Sequence, residues 1–180
     1  MIKNDSLIKR ASRDFSDLYD KEPDLISIAP GRVNIIGEHT DYNLGLAMPC
    51  AIDRYICIAI GKNNDQRINV YSNSLRESLS FKVGSKPNEK LWYKYISGVV
   101  NEINLDYSID IGFNVLIHSN LEMCSGLSSS AALEVSMVNA IIHLLKLNYS
   151  DNEIINLCQR VEHNYINIKS GVLDQSASVL

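Results

Sequence analysis

The run SSSAALEVSMVNAIIHLLKLN, Ser128 to Asn148, constrains the fold more than any other stretch of the chain. Serines open it, long helix formers follow, and an apolar stripe passes through Leu133, Met137, Ala140, Ile141 and Leu144. That pattern predicts a helix with one face on a core. Just ahead of it, GFNVLIHSN (Gly112 to Asn120) reads as a strand. The two are joined by a glycine–serine turn, so the unit is strand, tight turn, long helix.

Other segments fill in around this unit. Asp5 to Pro23 has helical spacing, with Leu7, Ile8, Ala11, Phe15 and Leu18 on one side and Pro23 closing it. DLISIAP reads as a strand, as do AIDRYICIAIGK (Ala51 to Lys62), RINVYS and ESLSFKV. Lys90 to Ile103 reads as a helix. SDNEIINLCQRVEHNYI begins with a capping-box pattern, Ser150 followed three residues later by Glu153, and is another helix. The last segment, SGVLDQSASVL, restarts after a glycine turn. Strands and helices mix without strict alternation, which predicts an α+β fold.

With 180 residues the chain can bury a real core, roughly 70% of its unfolded surface. A net charge of −4 argues against nonspecific nucleic-acid binding, which needs a basic face. The start, MIKNDSLIKR, has no apolar signal core and no run reaches about 18 apolar residues, so neither a secretion signal nor a membrane span is expected, and the expected location is cytoplasmic. Cys50, Cys57, Cys124 and Cys158 form no CxxC pair and are expected to be reduced thiols, mostly buried. His39, His118, His143 and His163 lack metal-ligand spacing, and His143, inside the apolar helix, is expected to pack.

Three stretches carry chemistry. APGRVNIIGEHTDYN (Ala29 to Asn43) surrounds a short apolar run with glycines, an arginine, a histidine and acids. CSGLSSSAALEV places Gly126 in a tight turn and serines in the first helical turn, where free N–H groups and the dipole favour an anion. It is no Walker A loop, and a serine-rich helix cap accounts for it equally well. Glu162 and Asp174 lie twelve residues apart, and a phosphoryl-transfer site needs such acids for Mg²⁺ and the attacking hydroxyl. Each taken alone reads as a solvated surface charge, since acids are rarely buried.

Taken together, these stretches resemble the GHMP small-molecule kinases and, within them, the galactokinases. GRVNIIGEHTDYN resembles the galactokinase signature, SGLSSSAALEV the family's phosphate loop, and VEHNYINIKSGVLDQSASVL the segment carrying its catalytic aspartate. MPCAIDR and LWYKYISGVV match at the same order and spacing. The resemblance implies a GHMP kinase N-terminal domain, of the ribosomal protein S5 domain 2-like fold, over residues 1–180. The sugar signature lies at 29–43, the phosphate loop at 124–132 and the aspartate segment at 162–177.

The resemblance also implies roles. Glu38, His39, Asp41, Gly171 and Asp174 would face galactose, a ligand rich in hydroxyl donors and acceptors. Asp174 would accept the proton of the anomeric hydroxyl, and Arg32 would keep Asp174 ionised and stabilise the charge that builds in transfer. Gly126, Leu127, Ser128, Ser129 and Ser130 would cradle the phosphates of ATP. Ser130 and Glu162 would hold Mg²⁺. Trp92 and Tyr95 match aromatic positions near adenine, with helix packing as their other reading.

Departures from the family pattern stand beside these matches. Glu122, Met123, Cys124 and Ser125 occupy the places of the usual Pro-x-Gly-x, so the loop is expected to take another path or carry strain at Cys124, and Glu122 to weaken ATP binding if it points inward. Ser170 replaces a cysteine, and Leu44 stands where a glycine is usual. Family members are much longer, and the chain is read as a truncated form without the C-terminal domain, leaving apolar surface exposed. A sister kinase for N-acetylgalactosamine or arabinose, a non-catalytic galactose and ATP sensor, and a remnant unable to fold alone are the other readings.

Overall fold

A twelve-residue strand, β1 (Leu25–Ile36), carries most of the Ala29–Asn43 motif and runs beyond the DLISIAP segment that the sequence pattern marks. The computed structural model describes residues 5–37, 40, 43, 45–86, 89–121 and 126–180. Helix α1 (Asp5–Tyr19) precedes β1. Strands β2 (Met48–Asn63), β3 (Ile68–Ser72) and β4 (Glu77–Phe81) follow, then helix α2 (Leu91–Asp106) and strand β5 (Gly112–Ser119). Helices α3 (Ser129–Leu145) and α4 (Asp151–Val161), a π-helical turn (Glu162–Ile166) and α5 (Leu173–Val179) complete the chain. The five strands form one mixed sheet in the order β1-β2-β5-β3-β4, with β3 and β5 parallel and every other pair antiparallel. The α+β expectation holds.

Both faces of the sheet are covered, and the central strands show it. In β2, residues 56–61 are all buried. Side chains alternate faces along a strand. Ile56, Ile58 and Ile60 accordingly enter the larger core beneath α2, α3 and α4, while Cys57 and Ala59 meet Leu7, Ala11 and Phe15 of α1. The stripe predicted for α1 is seated at those three residues; Leu18 is exposed, and the helix stops at Tyr19, before Pro23, where Asp20 takes a positive φ.

Helix α3 is central rather than one-sided. Leu133, Met137, Ala140, Ile141 and Leu144 are buried as expected, and so are Glu134 and Ser136. His143, expected to pack, is exposed, and its Nδ1 donates to the Asn139 carbonyl 2.8 Å away. It lies on the one strip of α3 that the sheet and neighbouring helices leave open. The capping box at Ser150 and Glu153 is formed and starts α4. Cys57 and Cys158 are buried thiols, Cys50 is exposed, and Cys124 lies outside the described residues. Val33, Ile35, Ile36, Leu46 and Met48 expose large apolar surface at one end of the β1–β2 pair. Among the described residues no helix is long and apolar enough to cross a membrane.

Candidate functional site

The site begins at an irregularity in β1. Pairing with β2 shifts register between Pro30 and Arg32, and such breaks re-aim side chains. Gly31 is required there: a Cβ would come within 2.5 Å of Leu121 Cδ2 and 2.7 Å of the Leu127 carbonyl. This close approach lets the Arg32 N–H donate to the Leu127 carbonyl at 3.1 Å. Ser178 of α5 ties the same place down by donating to the Pro30 carbonyl at 2.9 Å.

The Arg32 side chain then links two segments. Its Nε donates to Asp174 Oδ1 and its Nη2 to Asp174 Oδ2, both at 2.7 Å. Its Nη1 donates to the Gly126 carbonyl at 2.8 Å. The Ser128 hydroxyl donates to Asp174 Oδ2 as well. Charge-assisted, two-point contacts of this kind fix orientation as well as proximity. Asp174 sits in the first turn of α5.

The glycine–serine turn has the backbone that its sequence suggests, with one addition. Gly126 has φ +73°. Ser128, the residue before α3, is also left-handed, at φ 51° and ψ 50°, and its side chain caps nothing in the helix. A serine in that region is uncommon and costs energy, and such strain gathers at functional sites. Here the left-handed turn coincides with a side chain that reaches Asp174 instead of the helix N–H groups, so those groups at the start of α3 lack a side-chain cap. Glu122 to Ser125, including the strain expected at Cys124, lie outside the described residues, as do Glu38, His39 and Asp41.

Glu162 opens the π-helical turn and is buried. Burial is the main force pushing its carboxyl above the usual range; the charge of Asp174 adds to this, and hydrogen bonding from Ser170 works against it. The Ser170 hydroxyl donates to Glu162 Oε2. The Ser170 carbonyl is held in turn by Gln159 Nε2 at 3.1 Å and His163 Nε2 at 3.0 Å. Gly171 follows, half-buried, in the segment leading to α5. In the sequence Ser170 stands out only as a replacement for the family's cysteine; in the structure its hydroxyl holds one oxygen of Glu162.

Tyr95 stands between the serines and the acids. Burial, and then the charges of Glu134 and Glu162, push its phenol up to about 12, while the Ser130 side chain beside it pulls the other way. Trp92 is half-buried and its Nε1 donates to Glu77 Oε2 at 3.0 Å. Both aromatic residues pack on the core and both line a largely apolar cavity of about 320 Å³, bounded also by Leu91, Leu133, Ser129 and Ser130. The two readings of Trp92 and Tyr95 are therefore compatible. Ser130 and Glu162 offer hard oxygen donors, the kind Mg²⁺ prefers. Among the described residues no three or more His, Cys, Asp or Glu converge as a metal cage.

Two members of the cluster carry no signal in the sequence. Glu134 of α3 and Gln175 of α5 are buried in the same place. Polar residues inside apolar helical runs read as solvent-facing, and only the packing of α3 and α5 on each other and on β1 brings them in.

Comparison with known proteins follows the same map. The galactokinase galactose-binding signature matches residues 13–62, and the GHMP kinases N terminal domain matches residues 94–180. A galactokinase of Clostridium beijerinckii is 37% identical over 169 residues, covering 91% of this chain and 43% of the relative. One of Thermosipho africanus is 42% identical over 151 residues, covering 83% and 42%. The crystal structure of Lactococcus lactis galactokinase complexed with galactose superposes with a TM-score of 0.85 at 32% identity, covering 95% of this chain and 46% of that one. The chain thus spans less than half the length of these relatives. Signature, kinase domain and superposed backbone agree, and the chain belongs to the GHMP kinase family, in its galactokinase branch.

Proposed function

We propose that the protein is a galactokinase, transferring the γ-phosphoryl group of ATP to the 1-hydroxyl of galactose. The observation that carries this reading is the two-point Arg32–Asp174 contact, set against the main chain of the glycine–serine turn. It brings a carboxylate, a cation and the N-terminal end of α3 into one place, which is what an attacking hydroxyl and a transferring phosphoryl group require.

In this reading Asp174 receives the hydrogen bond of the anomeric hydroxyl and takes its proton as the new bond forms. Arg32 holds the carboxylate oriented, and its charge opposes the negative charge that builds in transfer. Glu38, His39, Asp41 and Gly171 are assigned to the sugar, and their polar groups would be left unpaired by the wrong epimer. Free N–H groups at the start of α3, with Gly126, Leu127, Ser128 and Ser129, are assigned to the phosphates. Trp92 and Tyr95, on the apolar cavity beside these serines, are assigned to the adenine side of ATP. Ser130 and Glu162 suit Mg²⁺, which is usually held by one or two carboxylates together with the phosphates and keeps several waters, so a full protein cage is not needed. When bound, Mg²⁺ neutralises phosphate charge during transfer.

The test is ADP release from Mg·ATP by the purified chain with galactose, N-acetylgalactosamine, arabinose or no sugar, beside an Asp174→Ala control. Galactose-dependent release that the control lacks is expected. Release that follows another of these sugars in preference to galactose overturns the substrate assignment, and galactose-dependent release that survives in the control overturns the role of Asp174.

A further inference from the structure

Four buried polar atoms beside the site lack partners. Glu134 is 0% exposed and Gln175 is 1% exposed. Among the described residues, neither carboxyl oxygen of Glu134 and neither amide atom of Gln175 has a hydrogen-bond partner. An unsatisfied buried polar group costs roughly 1–3 kcal/mol, and native interiors keep few of them. Two such side chains in one place need each other or a shared third group.

Their positions supply both. Glu134 stands one helical turn after Ser130 on α3. Gln175 follows Asp174 on α5. Glu162 begins the π-helical turn. The Gln175 amide is close enough to the carboxyls of Glu134 and Glu162 to draw both downward, against burial. A primary amide has two N–H donors and one acceptor, a carboxylate only acceptors, and a protonated carboxyl one donor and one acceptor. One arrangement satisfies all these groups: Gln175 gives one N–H to Glu162 and the other to the Glu134 carbonyl oxygen, and accepts from the Glu134 O–H. Ser170 already holds the Glu162 carboxyl through Oε2.

We propose that Glu134 and Gln175 are positioning residues, in which Gln175, braced by Glu134, fixes the Glu162 carboxylate in the direction from which it takes the divalent cation of the nucleotide. This rests on the kinase reading above, because it assumes that Glu162 meets that cation. Partners that orient a metal-binding carboxylate typically change metal affinity by about 10–100-fold when lost.

Two measurements on the 180-residue chain test it. The first is a double-mutant cycle in urea unfolding with Glu134→Met, Gln175→Met and both. The second is Mn²⁺·ADP binding followed by electron paramagnetic resonance, with Glu134→Gln added as a variant that keeps a donor and an acceptor. Non-additive unfolding energies are expected, with Mn²⁺·ADP bound at least about tenfold more weakly by each Met variant and near wild-type affinity in Glu134→Gln. Additive energies, unchanged affinity in the Met variants, or a Glu134→Gln variant as weak as Glu134→Met overturns the proposal. Should a Met variant fail to fold, Glu134→Gln against Gln175→Glu decides alone: the first must keep Mn²⁺·ADP and the second, which sets a carboxyl against Glu162, must lose it. A wild-type chain that takes no Mn²⁺·ADP tells against the kinase reading before any variant is compared; it also removes the metal role of the pair, which the cycle then shows to be a packing feature.

Discussion

Arg32 and Asp174 are 142 residues apart in sequence and meet through two parallel hydrogen bonds of 2.7 Å each. The arginine is the more enclosed partner, with its side chain 12% exposed against 33% for the aspartate. Its third nitrogen, Nη1, holds the Gly126 carbonyl. One side chain thus sets both the carboxylate and the turn ahead of α3, and disturbing it moves two parts of the site together.

Replacing Arg32 with lysine keeps the charge and removes the fork. A point charge cannot hold both carboxylate oxygens and the Gly126 carbonyl at once. If the galactokinase reading is right, Arg32→Lys should lower kcat by about 10²-fold or more, the scale on which positioned proton transfer contributes, while changing the galactose KM less. Steady-state ADP release over a galactose series checks it. A lysine variant with wild-type kcat would show that the two-point contact is dispensable.

The sequence made some of this legible and hid the rest for physical reasons. The strand–turn–helix unit and the Ser150–Glu153 capping box are local patterns, and both formed where the spacing put them. The π-helical turn at Glu162–Ile166 is invisible in the sequence, because a single turn at the end of α4 is too short to leave a period of its own. The left-handed Ser128 was hidden too, since positive φ is normally announced by glycine. Spacing alone could not pair Arg32 with Asp174, and that expectation came from family likeness. His143 failed the other way: a helix covered on nearly every side still has one open strip, and composition does not say where it lies.

Gly98 on α2 allows the segment carrying Glu162 to pack closely. A Cβ there would stand 2.7 Å from Val161 Cγ1 and 3.1 Å from Tyr165 Cγ. Valine in a helix has one strongly preferred rotamer and cannot swing aside. Overpacking costs about 1–3 kcal/mol, while helix propensity returns at most about 1 kcal/mol on replacing glycine with alanine. Gly98→Ala should therefore be destabilising, with the melting temperature down by about 2–4 °C per kcal/mol for a chain of this size. An alanine variant that melts higher than the wild type would mean that α2 and the π-helical turn are less tightly apposed than they stand here.

The cysteines offer a test of how α1 is seated. Cys57 is buried beneath α1, and burial pushes its thiol up to about 12. Burial likewise drives the Cys158 thiol well above its ordinary range, with Glu134 and Glu162 adding to it. Cys50 is exposed. Because the thiolate is the reactive form, iodoacetamide at neutral pH should modify Cys50 in the native chain and leave Cys57 and Cys158 intact until urea is added. Peptide mass mapping reads the result. Native labelling of Cys57 as fast as Cys50 would show that α1 leaves the sheet.

The buried carboxyls predict a slope in stability with pH. Burial, first of all, raises both Glu134 and Glu162. The folded chain therefore holds protons that the unfolded chain releases from about pH 4.3 upward. Since stability falls with pH wherever the folded state binds more protons, their contribution is complete below that value and is lost as pH rises towards the folded pKa values. His118 acts oppositely in part of the same range: burial lowers it, so its contribution is lost as pH falls below about 6.5. Carboxylates drawn downward, such as Asp24 and Glu153, act only below about pH 4. The difference between wild type and Glu134→Gln isolates one group from these, because only Glu134 changes. Relative to wild type, Glu134→Gln should gain stability steadily from pH 5 to pH 8, measured by urea midpoints in matched buffers. Parallel curves would mean that Glu134 holds no extra proton in the folded chain, and that water or a charge partner reaches it.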